Sequence, residues 1–269
     1  MLHSYRVDRI KLIPGLVLDD LPGRGDVTAH PGDYLLTSLK WQAGQTLDQN
    51  YVVFVHLLDA DGRSWAGHDN QPNGDLQATS SWVPGQSVSD RFLLKLPDDT
   101  PPGMYRLEVG MYHIDLGYHF LSLASGGNSV LFGSVKVQPR APVSAASAVA
   151  RWSGPIALRD WRASQQASDV VLNFNWLAGG QINQDYTLFV HLVDSSGKVI
   201  TQADSPPEQG LFRTGLWDAG DVIPDQHTLK APPPGSYRLL VGWYRAGTAE
   251  RLPLSNGGDT LDLGEVQVR

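Results

Sequence analysis

The chain contains no cysteine. Disulfides and thiolate metal sites are therefore excluded, and the redox compartment is left open. No run of lysine or arginine occurs and the net charge is −7, which argues against a surface that tracks nucleic-acid phosphates. No stretch approaches the roughly 18 apolar residues of a membrane-spanning helix, and the start MLHSYRVDRI lacks the apolar core of a signal peptide. Helical periodicity is scarce. Motifs that carry chemistry are missing as well: there is no H-E-x-x-H, no G-x-S-x-G, no G-x-x-x-x-G-K and no complete G-x-G-x-x-G. The acid pair Asp98-Asp99 sits beside prolines in a turn, where solvent leaves carboxylates without the tuned pKa values of acid–base catalysis. A non-catalytic chain is expected. A glycoside-active enzyme with carboxylates gathered from distant strands is the least favoured reading, because one active site seldom appears twice in small domains.

What is present is an internal repeat. YVVFVHLLDADG, from Tyr51 to Gly62, returns as YTLFVHLVDSSG from Tyr186 to Gly197. The same offset of 135 carries Trp41 onto Trp176, Asp69 onto Asp204, Pro72 onto Pro207, Thr79 onto Thr214, Trp82 onto Trp217 and Asp90 onto Asp225. After a three-residue deletion, PPGMYRLEVGMY (Pro101 to Tyr112) meets PPGSYRLLVGWY (Pro233 to Tyr244). A residue held in both copies serves the fold or a function that both copies keep. With 41% hydrophobic and 18% charged residues over 269 positions, composition is that of a globular protein with room for two domains.

Period-two alternation and Gly/Pro punctuation about every ten residues predict an all-β chain. Leu35, Thr37, Leu39 and Trp41 face one way, and Val170, Leu172, Phe174 and Trp176 keep that phase. Tyr51–Asp59 and Tyr186–Asp194 read as central strands closed by turns at Gly62 and Gly197. Closing strands are expected over Val130–Val137 and Thr260–Val268, and leading strands over Arg6–Ile13 and Pro155–Arg159. Proline-bearing, nearly uncharged residues 138–147 have a linker's composition. The expected architecture is two tandem antiparallel β-sandwiches, residues 1–145 and 146–269. About eight strands per copy points to a jelly roll, with an immunoglobulin-like connectivity as the alternative. The copies should superpose strand for strand.

Several polar and aromatic residues are candidates for a ligand site, and each has a structural alternative. His56 and His191 interrupt apolar strands; they can line a sheet face and bond a ligand, or be buried and satisfied by a neighbouring carboxylate. Trp82 and Trp217 can stack on sugar rings if exposed, or plug one end of a core. Arg106 and Arg238, beside Tyr112 and Tyr244, can join Asp90 or Asp225 in a polar platform, or form cross-strand ion pairs. Tyr105 and Tyr237 follow Pro-Gly turns and resemble a tyrosine corner. Asp59-Ala-Asp61-Gly62 opens like a calcium loop, but copy two reads Asp194-Ser-Ser-Gly197 and no downstream bidentate Glu follows, so a hairpin turn is the better account and no cofactor is predicted. The tripeptide Arg24-Gly25-Asp26 is too short to carry weight.

The run F-V-H-L-x-D-x-x-G, then D-x-x-P, W-x-x-G and P-P-G-x-Y-R-L-x-V-G-x-Y resembles a repeat module of bacterial envelope proteins. There it follows the polytopic membrane portion of proteins similar to lipid-sugar-dependent glycosyltransferases. The resemblance covers Tyr34–Val137 and Val170–Val268, with His56, Asp59, Asp69, Trp82, Tyr105 and Tyr112 at the matching positions, and His191, Asp194, Asp204, Trp217, Tyr237 and Tyr244 in the second copy. It implies an extracytoplasmic accessory domain touching glycans or partner proteins, and it carries over no transferase activity. The leading expectation is a carbohydrate-binding module for a polysaccharide or cell-surface glycan, with no nucleic acid and no membrane span. A structural or protein-docking spacer of a larger envelope protein is the rival. Exposed indoles at Trp82 and Trp217 would favour the first, buried ones the second.

Overall fold

The computed structural model describes residues 27–114, 118–122, 126–141, 143 and 148–269, together with the backbone of three N-terminal strands; Ile114 is described by its backbone alone. The chain divides into two compact units, Met1–Val137 and Gln138–Arg269. The structure is all-β, and among the described residues no helix is long and apolar enough to cross a membrane.

The first unit holds β1 (Leu2–Tyr5), β2 (Ile10–Leu12), β3 (Leu16–Leu18), β4 (Val27–Ala29), β5 (Tyr34–Ala43), β6 (Val52–Leu58), β7 (Ser64–Asn70), β8 (Ser87–Lys95), β9 (Gly103–Ile114), β10 (Tyr118–Phe120) and β11 (Ser129–Val137). The second holds β12 (Ala150–Arg151), β13 (Ile156–Gln166), β14 (Asp169–Ala178), β15 (Tyr186–Val193), β16 (Val199–Gln202), β17 (Val222–Lys230), β18 (Gly235–Arg245) and β19 (Leu261–Val268). Its two sheets run β12-β13-β14-β17 and β16-β15-β18-β19. In the first unit β8 pairs β5, and the other sheet runs β4-β11-β9-β6-β7, with β10 on β9.

Alternation decides which side chains meet between the sheets. In β6, Val53, Val55 and Leu57 point into a core shared with Leu35, Leu39, Trp41 and Phe92 from the opposite sheet. The β8 pattern places Val88, Asp90, Phe92 and Leu94 inward, all buried. Six of the eight tryptophans, Trp41, Trp82, Trp152, Trp176, Trp217 and Trp243, are fully buried. In the second unit Trp176 meets Trp243 edge-on at 4.8 Å between ring centroids, and Trp217 meets Trp243 at 5.9 Å.

Turns are built as the repeats imply. Gly62 (φ 78°) and Gly197 (φ 83°) close the β6–β7 and β15–β16 connections in the left-handed region that glycine tolerates. Asp59 Oδ1 accepts the N–H groups of Asp61 and Arg63, and Asp194 Oδ1 those of Ser196 and Lys198, so these carboxylates organise their own hairpins. Tyr105 donates its hydroxyl to Pro101 O at 2.7 Å, and Tyr237 to Pro233 O at 2.9 Å, the anchor expected of a tyrosine corner. The three-residue deletion falls in the turn between β8 and β9 or β17 and β18.

The copies do not match strand for strand. β13 continues past Leu158 through a bulge and pairs with β14 all the way to Gln166 opposite Asp169. In the first unit the same length of β5 is shared: β3 pairs antiparallel with Trp41–Ala43, and β1 pairs parallel with Tyr34–Thr37. β4 instead joins the other sheet, parallel to β11. The single leading strand expected over Arg6–Ile13 is thus β2 in part; residues 6–9 and Ile13 lie outside the described residues. The expected boundary at 145 also shifts. Gln138 donates its amide to Asp221, and Val143 and Ala148 pack on Ala157, Leu177 and Val222. Part of the proline-bearing stretch therefore belongs to the second unit.

Candidate functional site

Period-two alternation sends Phe54 and His56 of β6 to the outer face of their sheet, and Gly110 and Tyr112 of the neighbouring β9 share that face, Gly110 directly opposite Phe54. Gly110 leaves room for the Phe54 ring: a Cβ there would lie 2.3 Å from Phe54 Cζ. The ring therefore lies flat on the strand, beside His56 (5.0 Å between centroids), Tyr112 (6.2 Å) and Phe120 (5.9 Å), and is buried on an outer face. Asp69 from β7 completes the cluster. His56 Nε2 lies 3.0 Å from Asp69 Oδ1, and the Tyr112 hydroxyl donates to Asp69 Oδ2 at 3.1 Å. Glu108 lies on the other side of the imidazole, 3.7 Å from Nδ1, and accepts the Ser129 hydroxyl. Burial, then the hydrogen bond and charge of Asp69, push the Tyr112 phenol up to about 12.

The second copy rebuilds this cluster. His191 Nε2 is 3.5 Å from Asp204 Oδ1, the Phe189 ring lies beside His191 at 4.9 Å, and Gly242 makes room for it. Its cover differs. Arg251 bridges to Tyr244 as Phe120 pairs with Tyr112, so the two residues are equivalent. The Arg251 guanidinium lies 4.6 Å over the Phe189 ring and donates to Asp259 and Thr260. Burial holds the His191 imidazole below its usual pKa, assisted by the Arg251 charge and opposed by Asp204. Burial, followed by the charge of Asp204, raises the Tyr244 phenol.

Other candidates do not join these clusters. Trp82 and Trp217 are 1% and 0% exposed, so neither indole is available to stack on a sugar. Each Trp sits at the end of a short 3-10 turn, Thr79–Ser81 or Thr214–Leu216, and donates its indole N–H to a backbone carbonyl, Gln77 O or Phe212 O. Asp90 and Asp225 are equally inaccessible. Asp90 accepts the indole N–H of Trp41 and the backbone N–H of Asn73; Asp225 accepts those of Trp176 and Glu208. Asn73 (φ 56°) and Glu208 (φ 48°) adopt the left-handed conformation, a strained choice outside glycine, where their N–H groups meet the buried carboxylates. Desolvation raises the Asp90 carboxyl, with those hydrogen bonds opposing it.

Arg106 and Asp90 lie in different sheets, one exposed and the other turned inward, so the expected polar platform is not assembled. Tyr112 is six positions along β9 from Arg106, about 20 Å away. Arg238 forms a cross-strand ion pair with Asp262 of β19. Sequence reasoning also missed Ser205 and His227, which together with Asp225 have the residue types of a nucleophilic triad: Ser205 Oγ is 3.5 Å from His227 Nδ1, and His227 Nε2 is 3.0 Å from Asp225 Oδ2. The His227 and Asp225 side chains are 1% and 0% exposed, so this pair belongs to the core, with Ser205 at its half-buried end. Asp69, Asp204 and Gly110 were within reach of the repeat comparison, because Asp69 maps onto Asp204 and V-G-x-Y recurs.

No known protein family matches the chain, and no curated protein matches it. Among solved structures 471 chains match. The secreted serine protease VesC from Vibrio cholerae is similar at 9% identity and a TM-score of 0.30, over 94% of this chain and 51% of that one. The alpha-2-macroglobulin of E. coli in its native conformation is similar at 11% identity and a TM-score of 0.28, over 97% of this chain and 14% of that one. The chain thus spans about half the length of the first and a small part of the second.

Proposed function

We propose that the chain is a non-catalytic pair of β-sandwiches that acts as a spacer and protein-docking unit of a larger extracytoplasmic protein. The observation that carries this reading is where the duplicated residues go. Trp82 and Trp217 are buried, Asp90 and Asp225 hold indoles and loop backbones, and Tyr105 and Tyr237 fasten turns. Thr79 and Thr214 do the same work: each hydroxyl accepts the N–H that opens a central strand, Tyr51 or Tyr186, and donates to a backbone carbonyl. These duplicated residues are consumed by the fold. The strand orders of the second unit support an immunoglobulin-like connectivity over a jelly roll, since β13–β14, β15–β16 and β18–β19 are hairpins and the intervening links change sheets. The extracytoplasmic placement rests on the resemblance of the repeats to envelope modules.

A second reading, glycan binding, is favoured by one observation. Tyr118 and Phe120 are 68% and 48% exposed and both pack on Tyr112, and the second copy has Ala249 and Arg251 at these positions. A polysaccharide panel probed with the whole chain separates the two. The spacer reading expects no saturable binding to any polymer. Saturable binding that Tyr118→Ala and Phe120→Ala abolish would establish the glycan reading instead.

A further inference from the structure

Among the described residues, the second unit has no counterpart of one strand of the first unit. Register makes β11 and β19 equivalent: Val135 and Val137 lie opposite Tyr105 and Gly103, as Val266 and Val268 lie opposite Tyr237 and Gly235. In the first unit β4 runs parallel to this strand, pairing Val27, Thr28 and Ala29 with Val135, Lys136 and Val137. Ala29 is completely buried and Val27 packs on the core, while Thr28 faces solvent. In the second unit β19 is the last strand of its sheet, and among the described residues no strand lies on its outer side.

The consequence is visible on the opposite sheet. Trp161, Ala163 and Gln165 pair with Phe174, Leu172 and Val170, and paired residues point to one face, which here is the core face. Yet Ala163 and Gln165 are exposed and Trp161 is only half-buried. They border an open groove with Val170, Val266 and Gln267. The groove therefore runs along the edge that β4 occupies in the other copy. Its bonding capacity is already used at one end. The Gln165 side chain donates to Arg269 O and accepts Arg269 N–H, both at 2.8 Å, so a side-chain amide stands in for a strand. Two residues earlier, on the same edge, lie the N–H and C=O of Gln267.

We infer that this groove is a docking site for an extended strand of a partner polypeptide. The strand would run parallel to β19, as β4 runs parallel to β11, and complete the sheet by β-augmentation. Its recognisable chemistry follows from β4: small apolar residues at alternate positions, facing Trp161 and Val170, with polar residues between them. The inference rests on the docking half of the proposed function. It can fail while the spacer role stands, because the polysaccharide panel does not probe the groove.

A labelled peptide with the sequence of residues 24–33, which contains Val27-Thr28-Ala29, is the probe. Titrated against the whole chain, it is expected to give a saturable rise in fluorescence anisotropy. Gln267→Pro removes the outward N–H of an edge strand, a position where proline is tolerated, and should weaken binding about tenfold or more. Ala163→Trp fills the groove at an exposed position and should do the same. A peptide with Asp at both apolar positions should not bind. Both protein variants should melt like the parent. Absence of saturable binding would overturn the proposal, as would binding indifferent to both protein variants. Concentration-dependent dimerisation that Gln267→Pro abolishes would replace the partner by a second copy of this chain, and groove occupancy by a saccharide alone would also overturn it.

Discussion

Replacing Trp217 by alanine is expected to destabilise the second unit by about 3–5 kcal/mol. The indole is 0% exposed, packs against Trp243 and Phe212, and donates to Phe212 O at 2.7 Å. Truncation therefore opens a cavity and strands a backbone carbonyl together. For a unit of this size the loss corresponds to a fall of roughly 10–20 °C in melting temperature. Denaturation followed by circular dichroism on the second unit measures it. A loss below about 1 kcal/mol would mean that the ring is at the surface, as a sugar platform requires.

Asp225→Ala is expected to cost a similar amount, about 3–5 kcal/mol, for a different reason. The carboxylate receives Trp176 Nε1 at 3.2 Å, Glu208 N at 3.0 Å and the imidazole of His227 at 3.0 Å, all inside the core. Its removal leaves three polar groups buried without an acceptor, and no apolar neighbour can replace them. Asp225→Asn keeps the shape and one acceptor oxygen, so it should lose only about 1–2 kcal/mol. Urea titration of the two variants side by side tests this. Equal, small losses would show that the network contributes little.

These effects separate what was legible in the chain from what was not. The phase of β5 and β14, the hairpins at Gly62 and Gly197 and the tyrosine anchors follow from local chemistry repeated twice, and the structure has them. Asp90 was legible too: it lies in phase with Val88, Phe92 and Leu94, which places it inward, although it was assigned to a surface platform. The fate of Trp82 was not. Whether an indole after a turn points outward or inward depends on how the 3-10 turn at Thr79–Ser81 folds it back, and that turn is held by a bond from Tyr51 N to the Thr79 hydroxyl across 28 residues. The exchange of sheets by β4 was equally hidden. Val27-Thr28-Ala29 alternates like any half-buried strand, and alternation fixes a face but does not choose between two sheets. The outer-face cluster is intermediate: alternation alone puts His56 on the face of Phe54, but its partners Asp69 and Glu108 come from neighbouring strands that only pairing brings together.

Each of the two compact units is expected to be self-sufficient, held by its own copy of the buried Trp and Asp residues and of the Tyr anchor. Residues 1–137 and 138–269, expressed separately, test it most directly by calorimetry. Each piece is expected to unfold in one cooperative transition, with calorimetric and van't Hoff enthalpies in agreement, and the second piece should retain its melting behaviour when it begins at Gln138. If neither piece folds alone, or if only their mixture shows a transition, then the strands of one copy complete the core of the other and the two-unit account is wrong.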